Sequence, residues 1–212
     1  MSLKKYSHII WDFNGTILDD VEVGIKSANI LLGRRNLPLL KSREQYQSVF
    51  GFPIIDYYKR LGFDFNRESF DDLAVEWVDI YMSLEKQAPV FGGIKEKLSQ
   101  FKNAGYHQII LSATELTMLK GQLDRLEIDN YFEHVLGLDN IHAFSKVEIG
   151  REWMQKEKPH KAVFLGDTVH DLETANAMGV DCILIASGHQ SYETLKKCNV
   201  PVLRNIDELQ FD

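Results

Sequence analysis

The chain predicts an α/β fold, a doubly wound, Rossmann-like parallel sheet carrying an inserted α-helical cap domain. Three observations carry that prediction. An apolar strand, His8-Ile9-Ile10-Trp11, runs straight into Asp12 and the turn Gly15-Thr16. From Gly93 onward, short apolar runs alternate with helical stretches of about 10–14 residues, the pattern of repeated βα units. Between Asp20 and about Ala88 there is no strand-like run.

Taken in order, the first strand ends in a carboxylate, which puts Asp12 at the carboxyl edge of the sheet, where open α/β sheets bind ligands. Asp20 is expected to cap a first helix over 21–35. Ser42 with Gln45 three residues on reads as a capping box for a second. Pro53 suits the first turn of a third. Phe70, Leu73, Ala74, Trp77, Tyr81 and Leu84 form one apolar stripe of a fourth, which reads as bundle core. Pro89, Gly92 and Gly93 break regular structure, so hinges are expected at 19–20 and 88–93. The expected division is a core domain of 1–19 and 89–212 and a helical cap of 20–88 that acts as a lid. A helix over 93–104 carries Ile94, Leu98 and Phe101 at helical spacing and stops at Gly105. Strands are expected at 107–111, 134–136, 162–166, 182–186 and 202–203. The helix Val169–Met178 stops at Gly179.

Composition narrows the function. With 44% apolar residues, the 212-residue chain can bury a substantial core. A net charge of −7 argues against nucleic acid and against an anionic membrane surface as partners. No apolar run approaches the ~18 residues that span a bilayer, and no secretory signal is expected. Cys182 sits in an apolar run and Cys198 in a polar one, without metal-ligand spacing, so both read as reduced thiols of a cytoplasmic protein. A monomer or homodimer is expected.

Four segments carry the chemistry, each at an expected strand end: Asp12-Phe13-Asn14-Gly15-Thr16, Leu111-Ser112-Ala113-Thr114, Lys146 within Phe144-Ser145-Lys146, and Gly166-Asp167-Thr168-Val169-His170-Asp171. In this order and spacing they resemble the haloacid dehalogenase-like hydrolase superfamily, in the branch related to phosphoglycolate phosphatases. The resemblance covers the whole chain, helical insertion included. It implies Mg²⁺-dependent hydrolysis of a small phosphorylated metabolite, phosphoglycolate-like in kind, through an aspartyl-phosphate on Asp12.

The chemistry also stands on its own terms. A carboxylate nucleophile splits phosphoryl transfer into two steps. It reaches a phosphate dianion only with a cation between them, and Mg²⁺ is held by one or two carboxylates plus other oxygens. Asp12 and Asp167 are the ligand pair. The resemblance adds the backbone carbonyl of Asn14 as a third ligand. Asp171, four residues after Asp167, either holds metal-bound water or orients Asp167. Ser112 and the neighbouring backbone N–H of Ala113 can cradle phosphate oxygens, although Ser112 and Thr114 could instead cap the next helix. Lys146 offers a point charge to the phosphoryl group. Thr16 can donate to the turn or the aspartyl-phosphate.

Asn14 departs from the family pattern, in which an aspartate at this position protonates the leaving group and then activates water. An amide transfers no proton at neutral pH. Three readings stay open: a leaving group that needs no proton, such as an acyl or aryl phosphate; a proton from His170, Asp19 or Asp20; or a catalytically weak phosphate- or partner-binding regulatory module. His8, His107, His134, His142, His160 and His189 lack metal-ligand spacing and read as structural or surface, and His170 reads as an exposed residue at a helix start. The segment Phe50-Gly51-Phe52-Pro53 falls where the family's specificity loop lies. Arg43, Tyr57 and Arg60 could contact substrate there or stay on the surface.

Overall fold

A computed structural model describes residues 2–138 and 146–210; His142, Phe144 and Ser145 lie outside them. The chain runs β1 (His8–Trp11), α1 (Val21–Arg34), α2 (Arg43–Val49), α3 (Ile54–Leu61), α4 (Phe70–Leu84), α5 (Ile94–Asn103), β2 (His107–Glu115) and α6 (Leu116–Arg125). It continues through β3 (His134–Leu138), α7 (Lys146–Glu157), β4 (Ala162–Gly166), α8 (Val169–Met178), β5 (Asp181–Ile185), α9 (Tyr192–Leu195) and β6 (Val202–Leu203). The six strands form one sheet in the order β3-β2-β1-β4-β5-β6, with every pairing parallel.

Both faces of that sheet are covered, which is why β1 is apolar at successive positions rather than at alternate ones. The two-residue period of a strand sends Ile9 and Trp11 into one hydrophobic cluster with Leu98 and Phe101 of α5. It sends Ile10 into the opposite cluster with Phe164, Leu184 and Trp153. Trp11, Phe13, Phe101 and Phe164 are fully buried; each such side chain contributes roughly 1.5–3 kcal/mol relative to exposure. Helices α1–α4 gather around a third cluster that includes Leu31, Leu32, Tyr46 and Leu73.

Several local expectations shift. Asp20 precedes α1, but its side chain makes no capping bond; it turns inward. Ser42 accepts from the Gln45 N–H, while Gln45 reaches past it to the Lys41 N–H. Pro53 stands one position before α3, with extended backbone. In α4, Ile80 joins Leu73 and Tyr81 as the buried side chains. Strand β2 runs on to Glu115 and β3 to Leu138, because pairing resumes between those two residues after an irregularity beyond Leu111. Ser112 therefore lies within a strand, and α6 is capped by Glu115, whose carboxylate accepts from the Thr117 and Met118 N–H groups. Neither Ser112 nor Thr114 is the cap.

Candidate active site

The site sits at the carboxyl edge of the sheet, where Asp12 follows β1 and Asp167 follows β4. The Asp12 N–H donates to the Leu165 carbonyl at 2.9 Å, so pairing with β4 carries the carboxylate to the rim. The chain then turns through Gly15 at φ +74°, and a Cβ there would collide with Asp167 and His189. Asp167 follows β4 directly.

Asp171 lies in the first turn of α8, where it closes a capping box with Thr168. Its Oδ2 accepts from the N–H of Asp167 at 3.0 Å, the N–H of Thr168 at 2.8 Å and the Thr168 hydroxyl at 2.7 Å. Lys146 opens α7 and is buried; its Nζ donates to Asp12 Oδ1 at 2.8 Å and to Asp171 Oδ1. One oxygen each of Asp12, Asp167 and Asp171 lie within 4.8 Å of one another.

Electrostatics separate the three acids. Burial pushes the Asp12 carboxyl up, and Asp171 adds to the rise against the pull of Lys146. Burial likewise raises Asp167, to about 7, with Asp171 adding and His189 opposing. Burial would raise Asp171 too, but Lys146 and Thr168 outweigh it and hold it low. Lys146 itself is held above its ordinary value because Asp12 and Asp171 outweigh the cost of its burial. Asp171 thus has donors on both oxygens and a cation beside it, the state of an orienting group. Asp12 and Asp167 are buried acids that disfavour ionisation without a further cation nearby, and this donor set fits a hard divalent ion.

A second network adjoins the first. The Asn14 Nδ2 donates to Asp20 Oδ2 at 3.0 Å and to the Tyr81 hydroxyl oxygen at 3.0 Å, and its Oδ1 accepts from the Thr114 hydroxyl at 2.9 Å. Asp20 also receives the Gly15 N–H at 2.9 Å, the Tyr81 O–H at 2.6 Å and His189 Nε2 at 3.1 Å. Burial would raise Asp20, but His189, Tyr81 and Asn14 outweigh it and hold the carboxyl low. Burial would lower His189, yet Asp20, Asp167 and Asp12 raise it to about 9. Its backbone N–H donates to Asp167 Oδ2 at 2.6 Å, and the Tyr46 hydroxyl lies 2.8 Å from Nδ1.

Of the residues the sequence marks, Asp12, Asn14, Ser112, Ala113, Lys146, Asp167 and Asp171 line one cavity, and Thr16 is not among the described lining residues. Thr16 points at Asp167 Oδ1 at 3.4 Å, and the Ser112 hydroxyl donates to Thr114 at 3.1 Å. His189 and the Tyr81 hydroxyl were missed. His189 follows the end of β5 after Gly188, and a strand-end position was the available signal. The α4 stripe marks Tyr81 as bundle core, but its ring packs instead into the cluster of Ile9, Trp11, Leu98 and Phe101 beside the sheet, and its hydroxyl reaches the floor of the site. Of the other proton candidates, Asp19 faces Arg43 at 3.7 Å and His170 pairs with Glu173 at 3.1 Å.

Above the rim lies a cavity of about 480 Å³. Its upper wall is aromatic and apolar, with Phe50, Phe52, Tyr57, Trp77, Met82 and Met118. Tyr57 therefore faces the cavity. Arg43 instead donates to the Ser187 carbonyl and Arg60 to the Val49 carbonyl, and neither is among the described lining residues.

Fold and site together define a hydrolytic enzyme of the doubly wound α/β class. The chain belongs to the haloacid dehalogenase-like hydrolase family, whose profile matches residues 9–185. A phosphoglycolate phosphatase of Caulobacter vibrioides is 26% identical over 200 residues, covering 88% of this chain and 83% of its own. One from Nitrosococcus oceani is 25% identical over 204 residues, covering 88% and 87%. Among solved structures, a haloacid dehalogenase-like family hydrolase from Streptococcus pneumoniae aligns with a TM-score of 0.73 at 20% identity, over 95% and 94% of the two chains. Protein Tyrosine Kinase A of Mycobacterium tuberculosis shares the fold at a TM-score of 0.79 and 21% identity, over 96% and 95%.

Proposed function

We propose that this hydrolase is a Mg²⁺-dependent phosphatase that cleaves a small phosphate monoester through an aspartyl-phosphate on Asp12. The observation that carries this reading is the convergence of Asp12, Asp167 and Lys146 at one buried sheet edge. Asp12, Asp167 and the backbone carbonyl of Asn14 are the residues that would hold the ion. When bound, it supplies positive charge that offsets repulsion between the carboxylate and the phosphoryl group.

The chain's own residues do the rest. Asp12 is held by Lys146, which aims one of its oxygens and leaves the other to attack phosphorus. The backbone N–H groups around Ser112 and Ala113 bind phosphoryl oxygens. Asp171 fixes both Lys146 and the Asp167 backbone. We assign residues 20–88 to a cap domain that closes over the rim, since α1–α4 have a hydrophobic cluster of their own and supply most of the cavity's upper wall. Phosphoglycolate-like acids are the substrate class that the names of the relatives favour.

Turnover of a panel of phosphorylated metabolites, with Mg²⁺ and with EDTA, tests the reading. Activity that requires the ion and vanishes in Asp12→Asn supports it. Phosphate binding without turnover on any panel member would leave a regulatory module in its place.

A further inference from the structure

We propose that the leaving group is an aryl alcohol, so that the site takes small aryl phosphates in preference to alkyl phosphates bearing a second anion. This rests on the phosphatase reading above and departs from it in one respect, the substrate class: an aryl phosphate in place of a phosphoglycolate-like acid.

The first observation is the upper wall. Phe50, Phe52, Tyr57 and Trp77 line the same cavity as the acids, together with Met82 and Met118. Such a wall offers stacking and sulfur–ring contacts to a flat ring.

The second is charge. Lys146 is the one lysine or arginine among the described lining residues, and both its carboxylate partners belong to the floor. The two lining histidines face Glu173 and Asp20. Glu115 also lines the cavity. A carboxylate on the leaving group would therefore be desolvated without a free cation among the described residues, which is costly.

The third is the proton. Both Asn14 amide hydrogens are donated, to Asp20 and Tyr81, and its oxygen is occupied by Thr114. Asp20 beside it already accepts four hydrogen bonds. Both ring nitrogens of His189 are engaged as well, Nε2 by Asp20 and Nδ1 by the Tyr46 hydroxyl. An aryl oxide leaves without help, because a phenol ionises near ~10, whereas an alkoxide resembles hydroxide, whose parent water ionises near ~15.7. In the first step an Asp12 oxygen bonds to phosphorus as the P–O(aryl) bond breaks. The electron pair departs on the aryl oxide, which takes a proton from water. In the second step water bonds to phosphorus, the P–O(Asp12) bond returns its pair to the carboxylate, and a proton passes to solvent with the phosphate. Acyl phosphates also leave unprotonated, but an acetyl group gives the aromatic wall little to contact.

The experiment compares phenyl phosphate, benzyl phosphate, 2-phosphoglycolate and acetyl phosphate in Mg²⁺. Benzyl phosphate keeps the ring but leaves as an alkoxide, so it separates recognition from leaving-group chemistry. Phenyl phosphate is expected to exceed 2-phosphoglycolate in kcat/KM by about 100-fold or more. Benzyl phosphate is expected to match its KM within a few-fold, with kcat lower by about tenfold or more. Asn14→Asp should restore benzyl turnover by about tenfold or more, and phenyl turnover far less. Phe52→Ala should raise KM for both ring substrates more than for acetyl phosphate. Equal kcat for phenyl and benzyl phosphate, or a preference for 2-phosphoglycolate or acetyl phosphate, overturns the inference while Asp12-dependent turnover keeps the phosphatase reading standing. Absence of turnover on all four substrates removes both.

Discussion

The floor and the upper wall of the cavity are built on opposite principles. Every acid of the floor is buried and tied to a neighbour: Asp12 and Asp171 to Lys146, Asp20 to His189, Tyr81 and Asn14, and Asp167 to the His189 backbone. The wall is held by ring contacts instead. Phe50 lies 5.2 Å from Tyr57, Phe52 lies 4.9 Å from His170, and Trp77 stacks on Tyr81 at 4.8 Å. Polar networks of low solvent access tolerate little change, because an orphaned charge is expensive. Apolar walls tolerate substitution of similar volume. The difference teaches that the floor tolerates little change while the wall tolerates substitution of similar volume.

The largest expected break is in the floor. Asp12→Asn should reduce turnover by about 10⁴-fold or more, the scale seen when a nucleophile is removed, while circular dichroism stays that of the folded chain. Next comes Lys146→Met, which leaves the buried Asp12 and Asp171 without their shared cation. A loss of about 3–5 kcal/mol in urea unfolding is expected, and Mg²⁺ should return part of it.

The ion itself sharpens the comparison through pH. Asp12 and Asp167 are raised by burial, so protons compete with metal below neutrality. The gain in melting temperature from Mg²⁺ should be larger at pH 8.5 than at pH 6; an equal gain would remove these acids as ligands.

His189 gives a smaller and oppositely signed effect. Its folded value of about 9 lies above the ordinary 6.5, so the folded state holds the proton more tightly. Its contribution to stability is fully present below about pH 6.5 and is lost as pH rises through about 9. His189→Gln should cost about 1–3 kcal/mol at pH 6 and flatten that alkaline fall in stability. The smallest effect belongs to the wall. Phe52 is 46% exposed, so Phe52→Ala should change unfolding free energy by about 0.5 kcal/mol or less, its consequence appearing in KM.

Much of the fold was legible because its signals are local. Each strand of the sheet shows as a short apolar run, and Gly179 marks the end of α8 within its own turn. Asp12, Lys146 and Asp167 were legible because each sits beside a strand end or helix start. Where local signals misled, a tertiary partner had won. Asp20 reads as a helix cap, yet the donors of Asn14, Tyr81 and His189 draw its side chain inward. Strand β2 outran its apolar run because Leu138 supplied a pairing partner at Glu115.

The sequence alone determined the parallel sheet, the helical insertion and the acids at the rim, since strand period, turn glycines and strand-end position are properties of neighbouring residues. Only the tertiary structure decided that Asn14 is locked by Asp20, Tyr81 and Thr114, and that an imidazole from residue 189 closes the same network. Tyr81, Thr114 and His189 are far along the chain from Asn14 and Asp20, and no spacing rule connects them. Their meeting is set by how the helices pack over the sheet edge.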